Sequence, residues 1–219
     1  MPLTRSRPGR APRTPQQARS RRTRQRILEA AVTCFEETGF EETTTTEIAR
    51  RAGLAVGSLY GYFHDKRAIL LELLHGTVEE IAELVVRELD PENWRGPDLR
   101  RSVRSLVHRV VHAQTIRPGV QRILWERFFK DPDFRAAFLR IETRVRRALE
   151  NLLARLRADG RVRISDPATA AFVIFTAIQW ITVRLTLGDA RVDADAAMDG
   201  AAELVSRFLF EHPEVTQTP

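Results

Sequence analysis

The stretch Thr43 to Leu70, TTTTEIARRAGLAVGSLYGYFHDKRAIL, fits two short helices, a glycine turn and the start of a long third helix into 28 residues. Thr44 followed by Glu47 is a capping box, in which the hydroxyl takes a helix N–H three residues on. Ile48, Ala49 and Ala52 give the first of these helices one small apolar face, and Gly53 ends it. Leu54, Leu59 and Phe63 can close a core beneath a second short helix, expected at about Val56 to Tyr62. Gly57, Ser58, Gly61 and Tyr62 are then left on or near its outer surface. Asp65 can cap the next helix. Lys66 and Arg67 fall in that helix's first turn, where the macrodipole gives cations no help, and phosphate contact is one reason for their placement. The size and punctuation are those of a helix-turn-helix reader of DNA.

Working outward, a helix from about Ser20 to Glu37 carries Ile27, Leu28, Ala31, Val32 and Phe35 at three- and four-residue spacing, suited to covering the underside of the motif. The helix after the motif carries Ile69, Leu70, Leu73, Leu74, Val78, Ile81 and Val85, too long for a 50-residue domain alone, and is expected to bridge two domains. Asp90 to Pro97 reads as a polar break. A fifth helix follows with Leu99, Val103, Leu106, Val107, Val110 and Val111, stopped by Pro118 and Gly119, and a short sixth carries Val120, Ile123 and Leu124. Asp131-Pro132 and Asp166-Pro167 each place a capping carboxylate before a proline at the first helical position, and open a seventh helix reaching Gly160 and an eighth. The eighth, about residues 167–187, is apolar nearly all round, with Phe172, Phe175, Ile178 and Trp180 on more than one face. One core cannot use all those faces. One side is expected to pack inward and another, with a ninth helix at about 195–210, against a second copy; the alternative is that both helices only complete the monomer core. The fold class is all-α.

The pattern Phe35, Gly39-Phe40, Thr44, Ile48-Ala49, Ala52-Gly53, Gly57-Ser58-Leu59-Tyr60, Phe63, Lys66 and Leu70 resembles the TetR family of transcriptional repressors, over roughly Arg24 to Leu74. The resemblance implies a homodimeric, nine-helix-type repressor that releases a palindromic DNA operator when a small organic effector binds its larger domain. Carried over to these positions, it implies that Thr44 touches a phosphate, that Val56 and Ser58 face bases with Gly57 between them, that Tyr60 and Tyr62 meet backbone or bases, and that Lys66 holds a phosphate. Gly61 departs from the family, which usually has a larger side chain there, so base reading is thinner at that point.

The chain has 219 residues, enough for a small domain and a larger one. Residues 1–75 hold 13 Lys and Arg against 8 acids, and the remainder 22 against 21, so the basic excess belongs to the end with the motif. Residues 1–26 contain nine Arg, no Lys and no acid, with Pro2, Pro8, Pro12 and Pro15 among them. Such a tail cannot build a core and is expected to be disordered. It can follow DNA into the minor groove or merely solubilise. The expected division is a basic arm at 1–19, a helix-turn-helix domain at 20–66, and a helical ligand-binding and dimerisation domain at 67–212. No apolar run of signal-peptide length follows the tail, and the eighth helix contains Gln179, several Thr and Arg184, so a cytoplasmic protein without a membrane span is expected. Cys34 is the only cysteine and lies beside Phe35 in an apolar stripe, which suits core packing.

Neither a phosphate-cradling glycine loop, nor a metal-binding pattern, nor an activated nucleophile appears, so no enzyme, cofactor or metal is expected. His108 and His112, one turn apart among Leu106, Val107, Val110 and Val111, are candidates for the lining of an effector cavity with Gln114, Arg117, Gln121, Trp125 and Glu126. Phe175 and Gln179 on the eighth helix are candidates too. Arg122, Arg127, Arg144, Arg146 and Arg147 suggest an anionic ligand, but Glu126, Glu142 and Glu150 lie within about a turn of them, as on a mixed solvated face. The alternative function is an architectural or constitutive DNA-binding protein without an effector. An enzyme using His108, His112 and Glu126 is weaker, because nothing assembles a nucleophile around them.

Overall fold

Short capped helices need a shared core to persist, and the computed structural model, which describes residues 15–115, 117–188 and 191–211, builds that core in two parts. In chain order the helices are α1 (Pro15–Glu42), α2 (Thr45–Arg51), α3 (Val56–Tyr60), α4 (Lys66–Glu88), a 3-10 helix (Pro91–Trp94), α5 (Leu99–Thr115), α6 (Pro118–Lys130), α7 (Pro132–Ala158), α8 (Pro167–Leu187) and α9 (Ala194–Phe210). Among the described residues there is no strand. The protein is all-α, with a three-helix unit at its N-terminal end carrying the helix-turn-helix, the expected DNA-binding unit, and a larger helical region behind it.

The capping devices act as their sequences suggest. Thr44 Oγ1 accepts from Glu47 N, Asp65 from Ala68 N, Asp131 from Asp133 N and Phe134 N, and Asp166 from Ala168 N and Thr169 N. Several boundaries move. α1 begins at Pro15 rather than Ser20, so residues 15–19 of the expected arm are helical; residues 1–14 lie outside the described residues. It also continues past a break at Gly39 (φ 81°) to Glu42. α3 stops at Tyr60, two residues early, with Gly61 as its C-cap. Pro118 and Gly119 do not end α5; they are the first residues of α6. The polar break hides a core residue: Trp94 is buried and its Nε1 donates to Glu88 O at 2.8 Å.

The first core joins Ile27, Phe35, Ile48, Leu59, Ile69 and Leu74 of α1–α4 to Val120, Leu124, Phe138 and Ile141 of α6 and α7. The DNA-binding unit thus shares an apolar interior with part of the larger region. The second core binds the far end of α4 to α5, α7, α8 and α9. α8 is long and apolar enough, by length and composition, to cross a membrane. Here its Ala170, Ala171, Ile174 and Val183 are buried by the other helices. Its Phe172 (51 % exposed) and Trp180 (52 %) face out, as do Leu204 (55 %) and Phe208 (42 %) of α9.

Candidate nucleic-acid interface and the cavity behind it

α2 and α3 are too short to be stable alone, so their mutual angle must be held by fixed contacts. Ile48 and Leu59 are fully buried, each worth about 1.5–3 kcal/mol against an exposed state. Gly53 turns the chain with φ +65°, and a Cβ there would stand 2.9 Å from Arg26 Nη2. That guanidinium is the reason for the crowding: it donates to the Ala52 and Gly53 carbonyls left open at the end of α2. Arg24 does a similar job on the other side, pairing with Glu72, donating to Tyr62 O at 3.2 Å and lying over the Phe63 ring.

Thr44, Gly57, Ser58 and Tyr60 are exposed, and the Tyr60 hydroxyl is 3.1 Å from Thr45 Oγ1, tying the recognition helix to the start of α2. Val56 and Tyr62 are half-buried and pack on the core beneath. Lys66, which the resemblance makes a phosphate holder, is engaged within the protein. Its Nζ donates to Phe40 O (2.6 Å), Glu41 O (2.9 Å) and Thr43 O (2.8 Å) and lies over the Phe40 ring, so all three donors serve the turn between α1 and α2.

Behind this surface, α4–α9 line a partly open cavity of about 150 Å³. Its walls are almost wholly apolar. Towards the second core they include Leu89, Trp94, Leu156, Leu209 and Phe210; towards the first, the near end, they include Trp125, Phe138 and Phe175, with Gln121, Glu142 and Gln179 beside these rings. The near end is organised by Trp125, whose ring packs at 5.6 Å from Phe138 and 6.4 Å from Trp180. Burial pushes the Glu142 carboxyl above its usual range, with nearby Arg146 only partly opposing this.

Of the sequence candidates, Gln121, Trp125, Phe175 and Gln179 line this space together. His108, His112 and Glu126 do not. His108 Nε2 meets Asp199 Oδ1 at 2.6 Å, where Arg104 also pairs, joining α5 to α9. His112 is exposed, and Glu126 pairs with Lys130 at 2.9 Å. The physical reason is helical rotation: His108 and Glu126 each sit one residue, about 100°, from a cavity-lining neighbour (Val107, Trp125), and His112 sits two residues from Val110. Glu142, read from sequence as part of a solvated charged face, instead lies on the inward stripe of α7. Among the described residues no group of three His, Cys, Asp or Glu is arranged to hold a metal.

α6 is a wall of the cavity and is also fastened to the DNA-binding unit. The Glu36 carboxylate of α1 accepts from Gly119 N (2.9 Å) and Val120 N (2.7 Å) at the N-terminus of α6, where unpaired N–H groups and the helix dipole favour an anion. A Cβ at Gly119 would stand 2.6 Å from Glu36 Oε2, so any larger residue would displace that carboxylate. Arg127 near the other end of α6 pairs with Glu41 at 3.0 Å and lies over the Phe40 ring. Arg67 of α4 pairs with Asp131 at the α6–α7 junction. No local pattern in the sequence could have found the Glu36 contact, since its partners are 83 and 84 residues away.

Residues 27–73 match the family model for bacterial regulatory proteins of the tetR family, and residues 98–209 match the tetracyclin repressor-like C-terminal domain. The chain is 32 % identical over 125 residues to the transcriptional regulator AcrR of Shigella flexneri, covering 57 % of this chain and 55 % of that one, so it spans about half of that relative's length. It is 28 % identical to the regulator HbdR of Aromatoleum sp., over 85 % of this chain and 80 % of the other. A crystal structure of a TetR-family regulator from Mesorhizobium loti has the same fold, with a TM-score of 0.73 at 20 % identity, over 88 % of this chain and 98 % of that one. The two family models together take in both the helix-turn-helix and the helical region around the cavity, and the chain belongs to the TetR family of bacterial DNA-binding regulators, which are not enzymes.

Proposed function

We propose that this protein is a ligand-responsive transcriptional repressor, cytoplasmic, which binds a palindromic operator as a homodimer and lets it go when a small organic effector enters the cavity. The observation that carries the reading is the double attachment of α6. Gln121, Leu124 and Trp125 face the cavity, while Glu36, Glu41 and Phe40 of the DNA-binding unit hold the same helix. The free space is small beside the roughly 300–1,000 Å³ of ordinary ligand pockets. A drug-sized ligand must push the walls apart, and moving α6 or α4 moves the helix-turn-helix with it.

Dimerisation is supported by the outward Phe172, Trp180, Leu204 and Phe208, an apolar face that a monomer in water would leave uncovered. A dimer formed through α8 and α9 presents two recognition helices, whose half-sites are expected about 34–36 Å apart or a multiple of that. Thr44, Ser58, Tyr60 and Gly57 are the proposed DNA-facing residues, with Val56 and Tyr62 reaching DNA only by their exposed edges. Lys66 is proposed as the brace that sets the angle of α2. A constitutive architectural protein is disfavoured because such a protein has no use for an apolar cavity with polar side chains at its wall. The test is to select DNA with the purified protein, compare the result with promoters around its own gene, and screen small molecules for release of the selected operator. Binding without any releasing molecule would favour the architectural alternative.

A further inference from the structure

We infer that the cavity is built for an amphiphilic organic cation, an apolar body ending in a protonated amine that pairs with Glu142. This rests on the effector reading above and adds the chemical class. Among the described residues the lining contains one ionisable side chain, Glu142, and no Lys, Arg or His. An anion placed there would face a carboxylate with no cation beside it in the wall, whereas an ammonium would find its counter-charge. Arg146, the charged group acting on Glu142, lies outside the lining and rests against Phe172.

A second observation is independent of the charge. Gln121 is only 5 % exposed and borders the cavity, so its amide is a polar group that an entering ligand meets. Its Oε1 can accept a second ammonium N–H. Gln121 is one turn from Trp125 on α6, while Glu142 is one turn from Phe138 and Gln179 is next to Trp180, two rings that pack on Trp125; Leu89, Leu156 and Leu209 belong to the second core. The space is therefore polar and acidic at one end and apolar at the other, which gives the ligand a direction: ammonium towards α6, hydrocarbon towards Trp94.

The experiment measures binding of decylammonium, 1-decanol and decanoate to the full chain at pH 7, by calorimetry and by tryptophan fluorescence, with operator affinity followed in parallel. Decylammonium is expected to saturate one site per chain at least tenfold more tightly than decanol, and decanoate more weakly than either. Glu142→Gln, close to isosteric, is expected to erase the preference for the ammonium over decanol while leaving decanol binding within about twofold, which also reports that the variant is folded. Gln121→Leu is expected to weaken decylammonium about three- to tenfold and spare decanol. Decanoate or decanol matching decylammonium, no saturable decylammonium binding, or an ammonium preference that survives Glu142→Gln would overturn the inference. The two readings fail separately. If decanoate binds in the cavity and releases operator, the repressor stands and the cation falls; if decylammonium binds through Glu142 and operator affinity is unchanged, the cation stands and the effector role falls.

Discussion

The helix-turn-helix and the cavity are held by different kinds of force. Around the motif, polar contacts to the backbone fix the geometry: Lys66 on three carbonyls, Arg26 on the end of α2, Arg24 on Tyr62 O, and Thr44 on Glu47 N. Around the cavity there are few such ties, and apolar side chains from five α-helices and the 3-10 helix's Trp94, joined by those of α6, meet without filling the space. A reading head must keep one shape. A sensor must have a second arrangement within reach, and a loosely filled apolar interior provides it because its walls can repack at low cost.

Substitutions can break or sharpen that contrast. The largest effect is expected at the outward face of α9. Phe208→Asp puts a carboxylate into the proposed interface, and a folded monomer with operator affinity reduced about 100-fold or more is expected from sedimentation and anisotropy titration. A dimer of undiminished affinity would move the interface elsewhere. Next is Gly53→Val, which forces a β-branched residue into positive φ against Arg26. A loss of about 1–3 kcal/mol in urea unfolding is expected. Unchanged stability would mean that the turn is looser than its contacts imply.

Lys66→Met separates brace from phosphate contact. As a brace, its loss is expected to cost about 1–3 kcal/mol of stability and to leave the salt dependence of operator binding unchanged. A phosphate contact would instead lower the salt slope by about one unit. The smallest effect concerns acid. The Phe134 N–H, together with Arg67 and the Asp133 N–H, holds the Asp131 carboxyl below its usual range. A depressed folded pKa stabilises above the unfolded value of about 3.9 and loses that contribution as pH falls through the folded value. Asp131→Asn is therefore expected to flatten the fall in stability below about pH 4. An unchanged acid limb would exclude this group as a contributor.

The motif was legible in the sequence because its signals are local. Caps, a turn glycine and an apolar face all lie within a few residues of what they control, and the helices follow them closely. α3 ended early at Gly61, and α1 began early at Pro15, because nothing in either short stretch marks which of several residues takes the cap. The cavity was half legible. Trp125, Gln121, Phe175 and Gln179 could be named from the apolar runs around them, but the rotation of α5 was misread at His108 and His112. The inward stripe is Val103, Val107, Val110 and Gln114. On α7 the same spacing, Phe138, Glu142, Val145 and Leu149, includes the acid that a reading by charge alone assigned to the surface. The Glu36 tie to α6 depends on tertiary packing across the chain and has no sequence pattern of its own.

The central claim is that filling the cavity moves the reading heads through α6. It is tested most directly by pulsed electron resonance between spin labels on Thr46→Cys in the two protomers, since Thr46 is exposed and Cys34 is fully buried and escapes labelling. Distances are compared with the cavity empty and saturated by decylammonium, or by whichever matched probe saturates it, alongside operator affinity. A shift of several ångströms in label separation, together with loss of operator binding, is expected, and Glu36→Ala is expected to shrink both. Saturation of the cavity with the label separation and operator affinity unchanged would contradict the account.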